Sequence, residues 1–469
     1  MQNPEVVQNQ TVSINKVQEK KLRFREKIAI ASAGFTGTIH GQMITLFLLF
    51  FYTDILKVNP AYVAGLFLVA RIIDAALVPV FGVFVTKVST PWGKFVPWYM
   101  ILGIPTAIFG WLTFTDFNLG PTATLVYISI TYMVYSILTA VEQGPYAAVS
   151  PAVTKRVDDR IAIGQLNYFC TMVGALTISA GAVPLYKALG AGNDAKGFSI
   201  LMGIVALIGI LISIFQVTTV KERYVVKTDK KVYNYPIKAM LKAVFTNKAA
   251  IIIYVYILAI NLANGIRGGI QLHFFKYYFN NEGLMSIMAI VLLVPTLIGV
   301  IISAPITKRF GIKATILTSV IMAVVTGPVV LFVPSTSTGI IIYVVVGAIG
   351  ALFSGIAAAV QAAMMPAAMD YTEWKSGMNV NALMGSLQGF MQTFSTALAG
   401  AIAAGALALI GYIPGVEQSN ETIFGLKIMM GVLPTIILLF TASVAWFDLT
   451  EEKQTKIAKE LAERRENTE

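Results

Sequence analysis

Apolar segments recur near 28–53, 60–86, 97–116, 121–148, 163–189, 197–219, 249–275, 284–306, 314–333, 338–364, 381–411 and 424–447. A helix crosses the hydrocarbon layer of a bilayer in about 20 residues, and that repeated length constrains the fold more than any other feature. Backbone N–H and C=O groups in hydrocarbon must bond within the protein, so a spanning segment is either a helix or a strand of a closed barrel. Barrel strands alternate apolar and polar residues, and these runs of Leu, Ile, Val and Ala do not. The expectation is an all-α membrane protein of twelve transmembrane helices. Of the 469 residues, 56% are hydrophobic and 13% charged, against roughly 25% charged in a soluble domain.

A formal net charge of +11 invites a nucleic-acid reading, but the distribution of the charge opposes it. With the N-terminus in the cytoplasm, about 28 of the 35 Lys and Arg fall in cytoplasmic tails and loops and about 5 outside, as the positive-inside rule requires. The charge therefore reports orientation and contact with anionic lipid heads, with no nucleic-acid partner. Both termini are expected in the cytoplasm and the chain in the cytoplasmic (inner) membrane. Val220 to Lys248 carries eight basic residues against Glu222 and Asp229 and separates six segments from six. The division expected is a tail 1–27, a half 28–219, a central loop 220–248, a half 249–447 and a tail 448–469. Cys170 is the single cysteine, and His40 and His273 lie in different segments. No disulfide, structural metal or cofactor is expected, no cleavable signal peptide precedes the first segment, and a monomer is anticipated.

Polar side chains inside apolar helices are costly unless they meet partner helices or water, so their positions locate candidate sites. A charged loop, Met369 to Gly377, leads into a segment where Asn381, Gln388, Gln392 and Ser395 share a narrow arc at helical spacing. The seventh segment places Asn261, Asn264, Arg267 and Gln271 on one face. Four such hydrogen-bonding groups suit a polyhydroxylated solute, and the guanidinium suits a carboxylate. Packing between helices is the competing reading of that face. The first segment offers Thr36 and His40, then Thr38 and Gln42, at i,i+4, and the fourth carries Glu142 and Gln143 ahead of Pro145, which is expected to loosen the end of that helix. Gln361 and Asn167 are further candidate contacts. Arg71 and Asp74 stand three apart in the second segment, either a fixed ion pair or a site where Asp74 exchanges a proton or holds Na⁺. No nucleophile with its base, metal cluster or phosphate loop appears, so an enzyme is not expected.

Several segments together resemble a known family. They are Phe51-Tyr52-Thr53-Asp54, Ala70-Arg71-Ile72-Ile73-Asp74-Ala75, Trp92-Gly93-Lys94-Phe95-Val96-Pro97-Trp98 and Asp370-Tyr371-Thr372-Glu373-Trp374-Lys375-Ser376-Gly377, supported by Gly411-Tyr412-Ile413-Pro414 and Pro145-Tyr146. In order and spacing they are similar to the glycoside, pentoside and hexuronide cation symporters, the melibiose-permease-like branch of the major facilitator superfamily. The resemblance implies two six-helix halves, alternating access, and sugar uptake coupled to H⁺ or Na⁺, with Asp74 matching a carboxylate of the cation site. It also marks departures. Family acids fall on Thr38, Val78 and Gln143, a lysine falls on Gln392, and an arginine is absent at Met378-Asn379. With one carboxylate left, Na⁺ near Asp74 would draw most of its oxygens from carbonyls, hydroxyls or water. Proton coupling or uniport is the counterpart reading.

The expected function is thus secondary transport of a sugar or glycoside. The expected contacts are Thr38, His40, Gln42, Glu142, Gln143, Asn261, Asn264, Arg267, Gln271, Gln388 and Gln392, with Asp74 as the coupling residue. Two other readings stay open: a carrier or uniporter for a non-sugar amphipathic or lipid-like solute, and a transport-deficient membrane sensor.

Overall fold

The computed structural model describes residues 21–87, 93–154, 156–224, 236–378, 380–449 and 451–466. Asn379, the Val78 side chain, most of the N-terminal tail and residues 225–235 lie outside the described set. The regular elements of the described residues are helices. Helix α1 (Phe24–Met43) continues through wide π-type turns at Ile44–Leu48 and Phe51–Ile55. Then come α2 (Pro60–Lys87), α3 (Gly103–Thr113), α4 (Pro121–Val153), α5 (Val157–Gly190) and α6 (Asp194–Thr219). After the central connection follow a short α7 (Ile237–Phe245), α8 (Lys248–Phe279), α9 (Leu284–Val291), α10 (Leu293–Thr326), α11 (Ser337–Ser376) and α12 (Asn381–Leu409). Helix α13 (Asn420–Lys427) passes into further helical turns to Trp446, and α14 (Glu451–Glu466) closes the chain.

Local chemistry sets many of these boundaries. Pro121 opens α4 and Pro60 opens α2, where a missing N–H costs nothing. Asn193 caps α6 by accepting from the Lys196 amide, and Asn247 caps α8 by accepting from Ala249 and Ala250. Among the described residues, eight helical stretches are long and apolar enough to cross a membrane. One of them, running over 284–331, breaks at Gly311, whose φ of +79° only glycine adopts cheaply.

Two expectations of the sequence change here. The charged stretch from Met369 to Gly377 is not a loop, because α11 runs on to Ser376 and is ended by Gly377 at φ +66°. The Asn247 amide holds that last stretch in place, donating to the Ala368 carbonyl at 3.1 Å and to Thr372 Oγ1 at 2.6 Å. Pro145 does not loosen the end of α4, which continues past it and past Pro151 to Val153.

The apolar core is divided in a way that positions the site. One cluster joins both halves, combining Phe47, Phe51 and Phe67 of the first with Phe274, Phe275 and Leu407 of the second. Two others stay within single halves: Leu22, Ile30, Trp98 and Val153 in the first, Ile253, Met364, Val444 and Leu461 in the second. Helix α1 gives Ile30 to a private cluster and Phe47 to the shared one. The private clusters therefore sit at the face where α1 begins, here the terminal face, and the halves are fused at the opposite, distal face.

Buried ion pairs fasten the terminal face of the first half. Asp159 pairs with Lys27 at 2.6 Å and accepts from the Leu22 amide. Glu222 accepts from the amides of Lys94, Phe95 and Val96 at 2.6 to 2.9 Å. In the second half, α14 lays Ile457 and Leu461 onto the core, and Glu460 accepts from the Trp374 indole at 2.6 Å.

Helices α10 and α11 pack against each other through glycines. A Cβ on Gly299 would lie 2.0 Å from the Leu352 carbonyl oxygen, and one on Gly355 would lie 2.1 Å from that of Thr296. Gly299→Leu should force these backbones apart and lower stability by about 1–3 kcal/mol, read as a lower midpoint of thermal unfolding in detergent. Gly37→Ala, where the added carbon meets open space, is the control and should leave the midpoint nearly unchanged.

Candidate functional site

Two carboxylates, Asp54 and Glu282, tie the two halves at the distal face. Asp54 stands in the second π-type turn of α1, its side chain fully buried. Lys276 donates to Oδ1 at 3.0 Å and the Tyr277 hydroxyl to the same oxygen. The Tyr412 hydroxyl and Thr53 Oγ1 donate to Oδ2, and His273 Nε2 lies 3.3 Å from it. Asp54 and Thr53 belong to the first half, the other partners to the second. Beside this knot Glu282 pairs with Lys187 at 2.7 Å and accepts from Tyr186 at 2.6 Å, again across the halves. The sequence reading used Asp54 and Tyr412 only as family markers and took His273 as isolated. Their positions at the ends of separate apolar segments were the available signal, but no spacing rule joins residues 54, 273 and 412.

The second polar centre is in the first half. Arg71 Nη1 donates to Asp74 Oδ2 at 2.8 Å and Nη2 to the Tyr132 hydroxyl at 3.2 Å. Ser136 Oγ donates to the same Asp74 oxygen at 2.5 Å. Asp74 Oδ1 and Arg71 Nε are buried with no hydrogen-bond partner. Its Oδ1 is the carboxylate oxygen open to a further donor. One carboxylate supplies little towards the several oxygens a metal cation needs, and the adjacent guanidinium repels such a cation.

The remaining candidates are dispersed. Thr38 Oγ1 bonds back to the Gly34 carbonyl at 2.6 Å. His40 is buried inside the first half, its Nδ1 2.9 Å from the Thr36 carbonyl and its Nε2 unpaired. Its ring lies against Gly110 of α3 and Gly209 of α6. Glu142 accepts from Thr106 at 2.8 Å, Gln143 is exposed and Gln42 half-buried. Asn167 donates to the Ala31 carbonyl at 3.2 Å, and Gln361 is half-buried. In the second half Asn261 donates to the Ile257 carbonyl at 2.8 Å, whereas Asn264, Arg267 and Gln271 line a cavity of about 370 Å³. On α12, Gln388 is half-buried and Gln392 exposed, and neither lines that cavity. Helical spacing shows which residues share a face of one helix and not which helix that face meets.

Comparison with known proteins agrees with this architecture. The family model described as MFS/sugar transport protein matches residues 29–450. The chain is 27% identical over 450 residues to the isoprimeverose transporter of Lactiplantibacillus pentosus, covering 96% of this chain and 93% of the relative. It is 26% identical over 451 residues to the putative glycoside/cation symporter YagG of Escherichia coli, covering 95% and 96%. Among solved structures, a mutant of the nucleoside transporter NupG superposes with a TM-score of 0.63 at 13% identity, covering 89% of this chain and 99% of that one.

The Asp54 knot predicts its own failure. Breaking one partner of a buried pair costs about 3–5 kcal/mol, so Asp54→Asn should release the distal face. With Cys170 replaced by Ser and spin labels at exposed Asn118 and Val416, the distance distribution should gain a longer component. Its population should be at least about tenfold that of the parent; an unchanged distribution would show that the shared apolar core alone holds this face shut.

Proposed function

Because this chain belongs to the MFS/sugar transport protein family, we propose that it carries a sugar or glycoside across the cytoplasmic membrane by alternating access, driven by a proton. It is a transporter and not an enzyme. The observation that carries the mechanism is the divided core: the halves are sealed to each other at the distal face and keep separate clusters at the terminal face. With the termini in the cytoplasm, that is the inward-facing arrangement of a twelve-helix carrier. Rocking towards the other state breaks the bonds of Asp54 and Glu282 and brings the terminal ends together.

Asp74 is the coupling group in this reading. Deprotonated, it holds Arg71 at 2.8 Å. A proton arriving at Oδ1, the oxygen without a partner, removes the charge that restrains the guanidinium and frees Arg71 Nη1 to engage solute while Nη2 keeps its bond to Tyr132. Protonation and the position of Arg71 are therefore linked, as a symporter requires. The sugar as cargo is supported by the relatives named isoprimeverose transporter and glycoside/cation symporter. The neutral hydroxyl at Thr38 and the neutral amides at Gln143 and Gln392, where the resembled family carries charge, fit an uncharged glycoside.

Uptake into proteoliposomes, screened over neutral sugars and glycosides with an imposed pH or Na⁺ gradient, tests the proposal. Accumulation should follow the proton gradient and ignore Na⁺. Asp74→Asn should abolish accumulation, by at least about 10²-fold at a pH difference of two units, while leaving exchange of labelled for unlabelled sugar in place. Sodium-driven accumulation that survives Asp74→Asn would remove Asp74 from coupling.

A further inference from the structure

Arg71 and Arg267 both stand well inside long apolar helices, and their surroundings differ. Arg71 has its carboxylate. Arg267, midway along α8, has no ion pair among the described residues, and its Nε reaches only the Met430 carbonyl, at 3.4 Å. It faces the cavity of about 370 Å³, where it is the only charged side chain among the described lining residues. Asn264, Gln271 and Tyr343 line the same cavity, and none of the three makes a hydrogen bond within the described residues. A guanidinium inside a membrane helix, with no counter-charge among the described residues and with neutral donors lining the same space, is costly unless an acceptor meets it there.

The cavity is also separate from the path between the halves. It is enclosed by α8, α10, α11 and the turns around Met430 and Thr441, with no lining residue from the first half and none from α12. Its volume falls within the roughly 300–1,000 Å³ of small-molecule sites.

We infer that this cavity is a second ligand site, taking an organic oxyanion of about sugar size whose carboxylate, sulfonate or phosphate sits on the Arg267 fork, with its neutral part against Asn264, Gln271 and Tyr343. The planar guanidinium offers paired N–H donors that match two oxygens of such a group. The ligand comes either from solution or from the headgroup of an anionic lipid, and the chemistry of recognition is the same. This inference goes beyond the transport reading and does not depend on it.

The test is the thermal unfolding midpoint of the full chain in detergent, titrated with sodium glucuronate against sodium chloride and glucose. The expected result is a saturable rise with glucuronate and none with the two controls. Arg267→Gln should weaken the apparent affinity at least about tenfold. Ala351→Phe should do the same by filling the cavity with the guanidinium still present, which keeps the test decisive if Arg267→Gln fails to fold. The measurement is repeated on delipidated protein with phosphatidylglycerol against phosphatidylcholine. An Arg267-dependent rise with phosphatidylglycerol, and none with glucuronate, assigns the site to lipid; a rise with glucuronate assigns it to a solute. Equal stabilisation by sodium chloride, or binding that both variants leave intact, overturns the inference. Neutral-sugar uptake measured in parallel separates the two proposals, because its failure would strike the transport reading and leave the binding result standing.

Discussion

Hydrocarbon offers a polar group no partner, and nearly every feature of this protein follows from that deficit. It forces the backbone into helices whose N–H and C=O groups bond internally. It also removes the hydrophobic drive between helices once they are in the membrane, so they associate through close backbone approach and polar contacts. Gly299 and Gly355 serve the first need, bringing α10 and α11 to within a carbonyl oxygen of each other. Side chains that bond back to their own helix, such as Thr38, Asn261 and Ser395, meet the second need locally and leave little polarity to present elsewhere.

Charges are handled more sparingly. Asp54 gathers two hydroxyls, an ammonium and an imidazole from the opposite half, so desolvation is offset only while the distal face is closed. That makes the contact conditional on one arrangement of the halves, which is what a reversible clamp requires. The shared apolar cluster beneath it, with Phe47, Phe51, Phe274 and Phe275 fully buried, supplies the non-directional part of the same closure. Asp74 is instead bonded through Oδ2 to Arg71 and Ser136 of its own half, while its Oδ1 is buried without a partner. One acid is thus held across the two halves and the other within a single half.

Much of this was legible in the chain. Eight helical stretches long and apolar enough to cross a membrane are present among the described residues, and the acid and base three residues apart in the second segment do pair. The stretch from Asp370 to Gly377 was misjudged as a loop because its charges read as solvated, whereas Asn247 and the capping Gly377 extend the helix through it. Of the polar face read on α8, namely Asn261, Asn264, Arg267 and Gln271, the last three line one cavity, while Gln388 and Gln392 are not among its described lining residues.

Sequence alone determined the class of solvent this protein lives in, the helical character of each apolar segment and which side chains share a helix face, because hydropathy and the 3.6-residue period are properties of one segment at a time. Only the tertiary structure decided that residues 54, 273, 276, 277 and 412 meet, that the halves join at one face, and that Arg267 stands without a carboxylate. Those are distances between segments far apart along the chain, set by how whole helices pack, and no local pattern encodes them.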